Sequence, residues 1–519
     1  MTAEPEGFVL DADVLVLGGG PAGAWAAITA AQRGASVVLA DKGRVGTSGA
    51  TAAANTAVID VAPGSAAKRQ VIERRLERGL GLARAEWIER MVDEAHARLG
   101  ELAEWGYAFA WNDRGAIYRG SLRGPDYMQL LRRRLHKAGV RILDHSPAFK
   151  LLLRHGEVVG AEGVTRAGAP WAVQSGAVVV ATGGCAFMSR ALGTYGLTGD
   201  GLLMAAEAGA GLSGMEFSGQ YGVSHVDATV TKNLIYDWAT FSDESGRELD
   251  GGDVFEIVAR NLPLGPVYAI IDKASPAIQE GLRRGQPNIF LPLDRLGIDP
   301  FRQRFPVALR YEGTVRGVGG VAVDRNCAAS VPGLFAAGDA ASRESVVGAV
   351  SGGGGPNSTW AIASGVWAGE AASNYAARNR ARGGARPAAR ADCANQQANG
   401  DPGADACAAA IKEVQSELFP LERNFSRDEM TMRGSLSRLD SAWQAFETAG
   451  TSSRKGESPH KARETAAMLA TARWIYASAL ERRETRGIHR RRDHPGRDSA
   501  PPARLRVRGV ERIVVEQAQ

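Results

Sequence analysis

The chain has 519 residues, of which 44% are hydrophobic and 23% are charged, and its formal net charge is +5. This composition excludes a disordered or collagen-like chain and predicts an ordinary globular protein of two or three domains. No apolar run is as long as a membrane span, and the N-terminus has neither a basic segment nor a hydrophobic leader.

The positions of the cysteines and of the basic residues limit which metal sites, cellular compartments and binding partners are expected. Cys185, Cys327, Cys393 and Cys407 lie far apart without a C-x-x-C pair. This spacing predicts a reducing cytoplasm and no metal or iron–sulfur site, so any such cluster would belong to a partner chain. The excess of positive charge comes largely from residues 473–512. A solvated basic face is the favoured interpretation, and no nucleic-acid motif is present.

A dinucleotide-binding pattern opens the chain between Val14 and Asp41. A short apolar run, Val14–Leu17, predicts a buried parallel strand, and an Ala-rich helix then runs to Gly34. A second apolar run, 37–40, ends at Asp41. The glycines between strand and helix read G-x-G-x-x-G at 18, 20 and 23, which allows a tight turn, close approach of a pyrophosphate and helix–strand packing. Asp41 stands where a carboxylate binds ribose hydroxyls.

The next part of the chain, up to residue 165, predicts helices followed by strands. Residues 43–60 are mostly small, which lets a flat ring system approach the backbone. The predicted elements are a helical region Ala66–Trp105, a hairpin Tyr107–Ile117, a basic helix Asp126–Ala138, and strands Arg141–Leu143, Lys150–Arg154 and Val158–Thr165.

Two further apolar runs predict buried strands that end in glycine turns. Residues 177–182 (AVVVAT) run into Gly183-Gly184, and residues 334–337 run into Gly338-Asp339. Between them, Thr198-Gly199-Asp200-Gly201 opens a helix, and residues 213–310 lose the alternation of strand and helix. We interpret 213–310 as a second domain inserted into the first. A long helix is predicted at 357–377.

The predicted domain organisation has an interrupted first domain. Residues 379–410 are poor in bulky apolar residues and predict a linker or mobile loop, 411–486 are helical, and 504–515 alternate like a terminal strand pair. The predicted segments are a cofactor-binding domain at 1–212 and 311–378, a capping or substrate domain at 213–310, the linker at 379–410, a helical domain at 411–498 and a strand tail at 499–519. The predicted fold class is α/β: an interrupted two-dinucleotide-binding-type domain, an inserted α+β domain and a C-terminal helical domain.

Three separated glycine turns are expected to meet on one cofactor, FAD. They are the first fingerprint, the turn after 177–182, and GLFAAGDAA at 333–341, where Asp339 can accept a hydrogen bond from a cofactor hydroxyl. The predicted cofactor-binding residues are Gly18, Gly20, Pro21, Ala22, Gly23, Asp41, Lys42, Thr47, Ser48, Gly49, Ala50, Ala181, Thr182, Gly183, Thr198, Asp200, Gly338, Asp339, Asn357 and Ser358. No metal ligand is predicted.

Two longer motifs carry a family resemblance. TGDGLLMAAEAGAGLSGMEF at 198–217 and ERRETRGIHRRRDHP at 481–495 resemble the succinate dehydrogenase/fumarate reductase flavoprotein superfamily. That superfamily includes L-aspartate oxidase and the α subunit of adenylylsulfate reductase. The resemblance covers nearly the whole chain, and it implies FAD, a domain that caps the flavin and a C-terminal helical domain.

The chain also departs from the pattern of that superfamily. Members with covalent flavin attach it through a His in S-H-T-x-A-A, where this chain has Gly49, so the resemblance implies non-covalent FAD. The Ser48-Gly49-Ala50 stretch is more similar to adenylylsulfate reductase. The dicarboxylate enzymes have a His in the stretches that match 220–223 and 315–320, and an Arg in the stretch that matches 348–358 and at the position of Gly252. This chain lacks each of these four residues. Because buried carboxylates need fixed cations, we expect no binding of succinate, fumarate or aspartate in the manner of the superfamily.

Four residues are the candidates for catalysis. Arg486 belongs to Glu484-Thr485-Arg486-Gly487-Ile488-His489, which resembles the E-S-R-G-x-H motif, and the favoured role lies at the active site, with a structural ion pair as the alternative. Arg316 lies before Gly319-Gly320. For Tyr221 and His225, a core or surface role is about as likely as catalysis. Arg343 and Glu344 are interpreted as an exposed loop pair.

Three functions remain open at this point. The first is an oxidoreductase that transfers a hydride between flavin N5 and a small molecule other than succinate or fumarate, an anion being one option for that substrate. The second is an adenylylsulfate-reductase-like α subunit with a ferredoxin-like or other electron-transfer partner. The third is a flavin electron-transfer or regulatory subunit without a substrate of its own.

Overall fold

The N-terminal part of the chain forms most of the central sheet and the helices around it. The computed structural model describes residues 7–111, 116–231, 233–351, 353–381, 403–452 and 459–518. The first elements are β1 (Phe8–Leu17), α1 (Pro21–Gln32), β2 (Val37–Ala40), β3 (Asn55–Ala57), α2 (Ala66–Arg78), α3 (Ala85–Glu104), β4 (Ala110–Trp111), β5 (Ile117–Tyr118), β6 (Ser121–Arg123), α4 (Gly124–Lys137), β7 (Arg141–Leu143), β8 (Ala148–Arg154), β9 (Glu157–Val164), β10 (Pro170–Val180), α5 (Asp200–Glu207) and β11 (Leu212–Ser213).

The second group of elements forms a separate antiparallel sheet. These elements are β12 (Tyr221–His225), a 3-10 helix (Asn233–Trp238), β13 (Thr240–Ser242), β14 (Glu248–Leu249), α6 (Val254–Asn261), β15 (Val267–Ile270), α7 (Pro276–Gly285), α8 (Pro287–Arg295) and β16 (Phe305–Tyr311). The strand order is β12-β16-β15-β13-β14. This part has its own apolar core, built around Val223, Phe241, Phe290, Phe305 and Val307.

The chain then returns to the central sheet and continues into helices. The remaining elements are α9 (Gly313–Arg316), β17 (Gly320–Val321), β18 (Leu334–Ala336), α10 (Glu344–Val347), α11 (Gly354–Ala381), α12 (Ala404–Leu418), α13 (Leu421–Asn424), α14 (Glu429–Ser452), α15 (Pro459–Glu481), β19 (Arg504–Arg508) and β20 (Val514–Ala518). α12, α14 and α15 pack on one another, and α15 also packs on α5. The predicted fold class is confirmed.

The central sheet is parallel where the cofactor turns lie. β7, β2, β1 and β10 are neighbours in that order and run parallel, and β18 pairs in parallel with the end of β10 at 178–180. The beginning of β10 pairs instead with the antiparallel β9, which continues to β8. β10 therefore changes one neighbour along its length, and the carboxyl ends of the parallel strands meet at one edge.

Helices α1 and α11 cross the sheet in close contact. A Cβ at Gly365 would lie 2.4 Å from the carbonyl oxygen of Ala22, and one at Gly369 would lie 2.2 Å from that of Ala26. Only glycine allows the two backbones to approach so closely. This packing holds the N-terminal end of α1, which begins at the first glycine turn, against α11. Helix α11 follows the third glycine turn in the chain.

Several predicted bounds are wrong by one or more residues. β1 begins at Phe8 rather than Val14, because its first half alternates between half-buried and exposed side chains instead of forming an apolar run. The helical region 66–105 is two helices, since Leu80 and Gly81 have positive φ angles of 53° and 88°. The predicted hairpin is present as β4 and β5, although its residues 112–115 lie outside the described ranges.

The predicted linker is shorter than 379–410. α11 continues to Ala381 and α12 begins at Ala404, so both ends of the segment are helical, and residues 382–402 lie outside the described ranges. The terminal strand pair is confirmed. β19 also pairs with β11, which extends the order to β17-β11-β19-β20 and ties the end of the chain to the middle.

Two features are absent from the part of the chain that the structure describes. Within those ranges, none of the helices has both the length and the apolar character needed to cross a bilayer. The same ranges contain no group of three or more His, Cys, Asp or Glu side chains arranged to hold a metal ion. Cys393 lies outside them, Cys185 and Cys327 are buried free thiols, and Cys407 is buried.

Candidate cofactor and substrate site

A cavity lies at the carboxyl ends of the parallel strands, where open α/β sheets bind ligands. Its volume is about 430 Å³, within the range of roughly 300–1,000 Å³ of small-molecule and cofactor pockets. All three predicted glycine turns contribute to its wall. The predicted cofactor-binding residues that line it are Gly18, Gly20, Pro21, Ala22, Asp41, Lys42, Ser48, Gly49, Ala50, Ala181, Thr182, Gly183, Asp200, Gly338, Asp339, Asn357 and Ser358.

The three glycines of the first turn have different roles. Gly18 has a φ of +101°, and a Cβ there would lie 2.4 Å from the carbonyl oxygen of Ala181. At Gly23 a Cβ would lie 1.8 Å from the carbonyl oxygen of Gly18, so this glycine allows α1 to pack on β1 and does not itself line the cavity. A Cβ at Gly20 would meet no protein atom within 4 Å. Gly20 therefore keeps open the space in front of the N-terminus of α1, where backbone N–H groups favour a phosphate.

The Asp41 carboxylate shapes the loop that follows β2. Its Oδ2 accepts a hydrogen bond of 2.6 Å from the N–H of Gly19. Its Oδ1 accepts from the N–H of Gly43 at 2.7 Å and from the hydroxyl of Ser48 at 2.9 Å. Asp41 thus joins the glycine turn to the small-residue loop. Because each carboxylate oxygen can accept more than one hydrogen bond, contact with a ribose hydroxyl stays a prediction.

Lys42 connects this loop to two other parts of the chain. Its ammonium donates to Asp200 Oδ2 at 2.7 Å, to Glu464 Oε1 at 2.9 Å and to Thr198 Oγ1 at 2.9 Å. Burial lowers the pKa of Lys42, but the charges of Asp200 and Glu464 outweigh it and raise that pKa above its ordinary value. Burial likewise opposes ionisation of Glu464, yet hydrogen bonding to His460 and the charge of Lys42 lower its pKa to about 2. The ammonium and the carboxylate are therefore both charged at neutral pH.

Two cavity-lining side chains carry buried polar atoms that are left for a ligand. Thr182 Oγ1 and both amide atoms of Asn357 have no hydrogen-bond partner among the described residues. An unpaired buried polar group costs roughly 1–3 kcal/mol, so these atoms favour a polar molecule in the cavity. Gly49 and Gly353 also line it, and a Cβ at either would meet no protein atom within 4 Å. The open glycines and the unpaired polar atoms fit a flavin dinucleotide.

Asp339 is held by a buried arginine. Arg343 is fully buried and donates to Asp339 Oδ1 at 2.8 Å. The same guanidinium donates to the carbonyl oxygens of Thr314, Val315 and Gly317 at 2.8, 2.9 and 2.6 Å. Burial raises the pKa of Asp339, although the charges of Arg343 and Arg316 oppose that effect. The interpretation of Arg343 and Glu344 as an exposed pair is wrong, because their relative exposures are 0% and 1%.

Among the described residues, Arg316 is the only arginine that lines the cavity. It ends α9, its side chain is 23% exposed, and its Nε lies 3.9 Å from Glu312 Oε1. Glu312 is almost fully buried, and its Oε1 also accepts a hydrogen bond of 2.6 Å from Thr231. The guanidinium is thus held loosely at the cavity wall and keeps donors for a ligand. Of the four catalytic candidates, only Arg316 is brought to the cavity.

The surroundings of Arg486 favour the structural alternative over a role at the active site. The side chain is buried and does not line the cavity. Its Nε and Nη2 donate to the two carboxylate oxygens of Glu484 at 2.7 and 2.8 Å, and Nη1 donates to the carbonyl oxygen of Leu80. Nη2 also donates to the carbonyl oxygen of Asp498 at 3.2 Å. These contacts join the C-terminal motif to the loop after α2, which is the structural alternative.

Tyr221 and His225 do not line the cavity either. The Tyr221 hydroxyl donates to the carbonyl oxygen of Leu418 at 2.9 Å, and its ring packs against Tyr311 and Phe425. Burial raises the pKa of Tyr221 well above its ordinary value. His225 lies on β12 beside Phe305, and its Nδ1 accepts the N–H of Asp227 at 3.1 Å. Both residues therefore have packing roles in the cap.

Two other predicted cofactor-binding residues, Thr47 and Thr198, do not line the cavity. Two residues that were not predicted do line it. The hydroxyl of Thr47 donates to the carbonyl oxygen of Arg44, and Thr198 contacts the cavity-lining side chains of Lys42 and Asp200. His460 and Glu464 of α15 line the cavity although sequence analysis did not select them. Their local sequence is that of an ordinary helix, so nothing in it shows where α15 packs.

Family comparisons agree with this architecture. The family model described as "FAD binding domain" matches residues 13–357, and the one described as "Fumarate reductase flavoprotein C-term" matches residues 424–503. The chain belongs to the succinate dehydrogenase/fumarate reductase flavoprotein family. It is accordingly a FAD-dependent oxidoreductase, and the predictions of FAD and of an enzyme are confirmed.

Curated relatives of known name lie within the same family. L-aspartate oxidase of Mycobacterium leprae is 26% identical over 540 residues, which covers 94% of this chain and 93% of the relative. The fumarate reductase flavoprotein subunit of Mycobacterium tuberculosis is 28% identical over 475 residues, which covers 79% of each. The two names differ in reaction, so these similarities leave the substrate of this chain open.

Solved structures show the same fold. A point mutant of Escherichia coli quinol fumarate reductase superposes with a TM-score of 0.82 at 20% identity and covers 98% of this chain and 97% of that chain. Adenylylsulfate reductase of Archaeoglobus fulgidus superposes with a TM-score of 0.80 at 17% identity and covers 99% and 96%. At such identities the similarity is one of fold alone.

Proposed function

We propose that this chain transfers a hydride between flavin N5 and a small anionic substrate other than succinate, fumarate or aspartate. The proposal rests on the position of Arg316, which is the only arginine among the described residues that lines the cavity. A guanidinium keeps its charge at any physiological pH and presents several donors in a plane, which suits a carboxylate or a related anion. FAD supplies the hydride chemistry when it is bound.

The charges at the cavity argue against a clamped dicarboxylate. Holding two carboxylates in a partly buried site requires a fixed cation or several donors for each. Among the described residues that line the cavity, the cationic side chains are Lys42 and Arg316. Lys42 is already held by Asp200 and Glu464, so Arg316 is the cation that remains available to a substrate. One end of a substrate can therefore be fixed by charge, and the other end must be recognised in another way.

The residues around Arg316 position it and cover the site. Glu312 lies within ion-pair distance of Arg316 and is itself held by Thr231, so it orients the guanidinium. The cap closes on the small-residue loop through α8, where Asn288 donates to the carbonyl oxygen of Ala53 at 3.0 Å. Asn55 of β3 in turn donates to the carbonyl oxygen of Gly285. These two contacts seat the cap on the loop that lines the cavity.

An electron-transfer partner is part of the proposal. A relative at 28% identity is named a flavoprotein subunit, which supports a ferredoxin-like or other redox protein as the second substrate of this chain. The free thiols of Cys185 and Cys327 support a reducing compartment such as the cytoplasm. Neither point depends on the identity of the small anion.

The test is a flavin-reactivity screen with purified holoenzyme under anaerobic conditions. Reduced enzyme is mixed with unsaturated monocarboxylates, adenylyl sulfate and fumarate, and oxidised enzyme is mixed with the saturated acids, succinate and aspartate. We expect an anion outside the three dicarboxylates to change the flavin oxidation state. Arg316→Met should slow that reaction by at least about tenfold, or 1.4 kcal/mol.

Arg310→Met is the matched control, because Arg310 belongs to the adjoining strand β16 and does not line the cavity. Its guanidinium donates to Ser224, Val226 and Ala228 within the cap. This variant should react like the unmodified enzyme. Rapid turnover of fumarate or aspartate, or reactivity only with a redox protein, would overturn the proposal.

A further inference from the structure

The C-terminal helical region contributes two side chains to the cofactor cavity. His460 and Glu464 line it, and both belong to α15, which follows the central sheet by more than a hundred residues. Because they are four positions apart on one helix, they present neighbouring side chains on the same face. His460 Nε2 lies 3.2 Å from Glu464 Oε1. The pair therefore acts as one polar surface toward the cavity.

The position of this pair within the cavity follows from the strand order. The N-terminus of α1 marks the place of the pyrophosphate, and the end of the second strand marks the place of the adenosine ribose. Glu464 accepts a hydrogen bond from Lys42, the residue directly after Asp41 at the end of β2. The contact places α15 beside the ribose end, away from the turn that holds Asp339.

A second contact supports the same end of the cavity. The rings of His460 and Phe149 are stacked, with centroids 6.5 Å apart and an interplanar angle of 29°. Pro147 and Ala148, which immediately precede Phe149, also line the cavity. The apolar segment at the start of β8 and the His460 ring thus form two adjoining pieces of wall next to Asp41.

We propose that His460 and Glu464 form part of the adenosine subsite of FAD. The His460 ring provides a planar wall for the adenine, and Glu464 fixes Lys42 beside the ribose. The cofactor site is then complete only when α15 is packed against the core. Binding of the adenosine half and docking of the helical region are consequently linked, so each stabilises the other.

Arg463 provides a matched control on the same helix. Its guanidinium donates to both carboxylate oxygens of Glu207 and to the carbonyl oxygen of Phe149 at 2.9 Å. These contacts dock α15 on the same part of the core, yet Arg463 does not line the cavity. Arg463→Met therefore weakens docking without changing the wall.

The experiment measures binding of FAD and of ADP to the full-length chain stripped of flavin, by calorimetry. ADP carries the adenosine half and lacks the flavin, so it reports on one end of the cavity. His460→Ala should weaken both FAD and ADP by at least about fivefold, or roughly 1 kcal/mol. Arg463→Met should lower the melting temperature and, at a temperature well below it where α15 stays docked, leave the ADP affinity within about twofold. Unchanged ADP affinity in His460→Ala would overturn the proposed adenosine subsite. A loss of ADP affinity in Arg463→Met as large as that in His460→Ala would also overturn it.

Hydrogen exchange gives a second readout that needs no variant. ADP added to the stripped chain should slow amide exchange in the first turns of α15 as well as in α1, because both contact the adenosine half. Protection of α1 with no change in α15 contradicts the proposal. This readout involves no turnover and no substrate, so it stands apart from a failure of the proposed reaction.

Discussion

Lys42 and Glu464 are 422 residues apart in the chain, and Lys42 Nζ donates a hydrogen bond of 2.9 Å to Glu464 Oε1. The pair joins the loop after the second strand to the last long helix, directly at the wall of the cofactor cavity. Asp200, the first residue of α5, shares the same ammonium at 2.7 Å. Three distant parts of the chain thus depend on a single cation.

Lys42→Met should destabilise the protein by roughly 3 kcal/mol, because it leaves two carboxylates that are only 17% and 12% exposed without this cation. Denaturant unfolding of the flavin-free chain measures this loss directly. Lys68→Met is the control, since Lys68 also binds two carboxylates, but those of Glu89 and Asp93 are 57% and 38% exposed. That variant should lose no more than about 1 kcal/mol. Equal losses in the two variants would contradict the structural role of Lys42.

The FAD should be bound without a covalent link. Gly49 lines the cavity where covalently flavinylated members have a His, and glycine has no side chain to form a bond. Acid precipitation of the holoenzyme should release all of the yellow colour into the supernatant. Colour that remains with the washed protein pellet would show that another residue carries the flavin.

Arg486→Met should lower stability and leave the chemistry of the flavin intact. Arg486 joins Glu484, Leu80 and Asp498 rather than the cavity, so its loss weakens the packing of the C-terminal motif. We expect a loss of roughly 3 kcal/mol, the usual cost of breaking a buried ion pair. Thermal unfolding and the rate of flavin reduction by dithionite are measured on the same preparation. Normal stability combined with altered flavin reduction would return Arg486 to the active site.

Stability should fall as the pH rises through the titration of Glu216. Burial, together with the charge of Glu344, raises the pKa of Glu216 to about 7 despite the opposing charge of Arg482. The unfolded chain has an ordinary carboxyl there, so the folded state binds more protons between pH of about 4.5 and about 7. The free energy of unfolding therefore decreases over that window as pH rises.

Glu216→Gln tests this dependence, because glutamine does not titrate. Urea unfolding at several pH values between about 5 and about 7.5 should show a flatter profile in the variant. Glu417→Gln is the control: the pKa of Glu417 is lowered to about 2 by hydrogen bonds from Arg438, Ser435 and Arg423, although burial alone would raise it. Its profile in this window should keep the original slope. The same slope in Glu216→Gln as in the unmodified protein would refute the assignment.

Sequence alone was sufficient for the cofactor turns because their chemistry is local. Gly18, Gly20 and Gly23 are required by backbone geometry within one strand–turn–helix unit, and the structure gives each the predicted position. Asp41 and Asp339 follow buried strands and could be located from the strand pattern. In each case the signal and the site lie within a few residues of each other.

The parts that sequence analysis missed depend on long-range packing. His460 and Glu464 belong to a helix whose pattern does not reveal its docking site, and Arg343 is buried because carbonyl groups of a distant turn converge on it. Arg486 lies in a motif that matches the family. Such a match does not show whether the residue binds a ligand or a neighbouring part of the protein. Such roles follow only from coordinates.

The central claim is that Arg316 supplies a cation for an anion beside the flavin, and sulfite titration of the oxidised holoenzyme tests it most directly. Sulfite adds to oxidised flavin and removes its yellow absorbance, and a nearby cation stabilises the negative charge of the product. We predict that Arg316→Met weakens sulfite binding by at least about tenfold, or 1.4 kcal/mol, whereas Arg310→Met does not. Equal sulfite affinity in Arg316→Met and the unmodified enzyme would contradict the account.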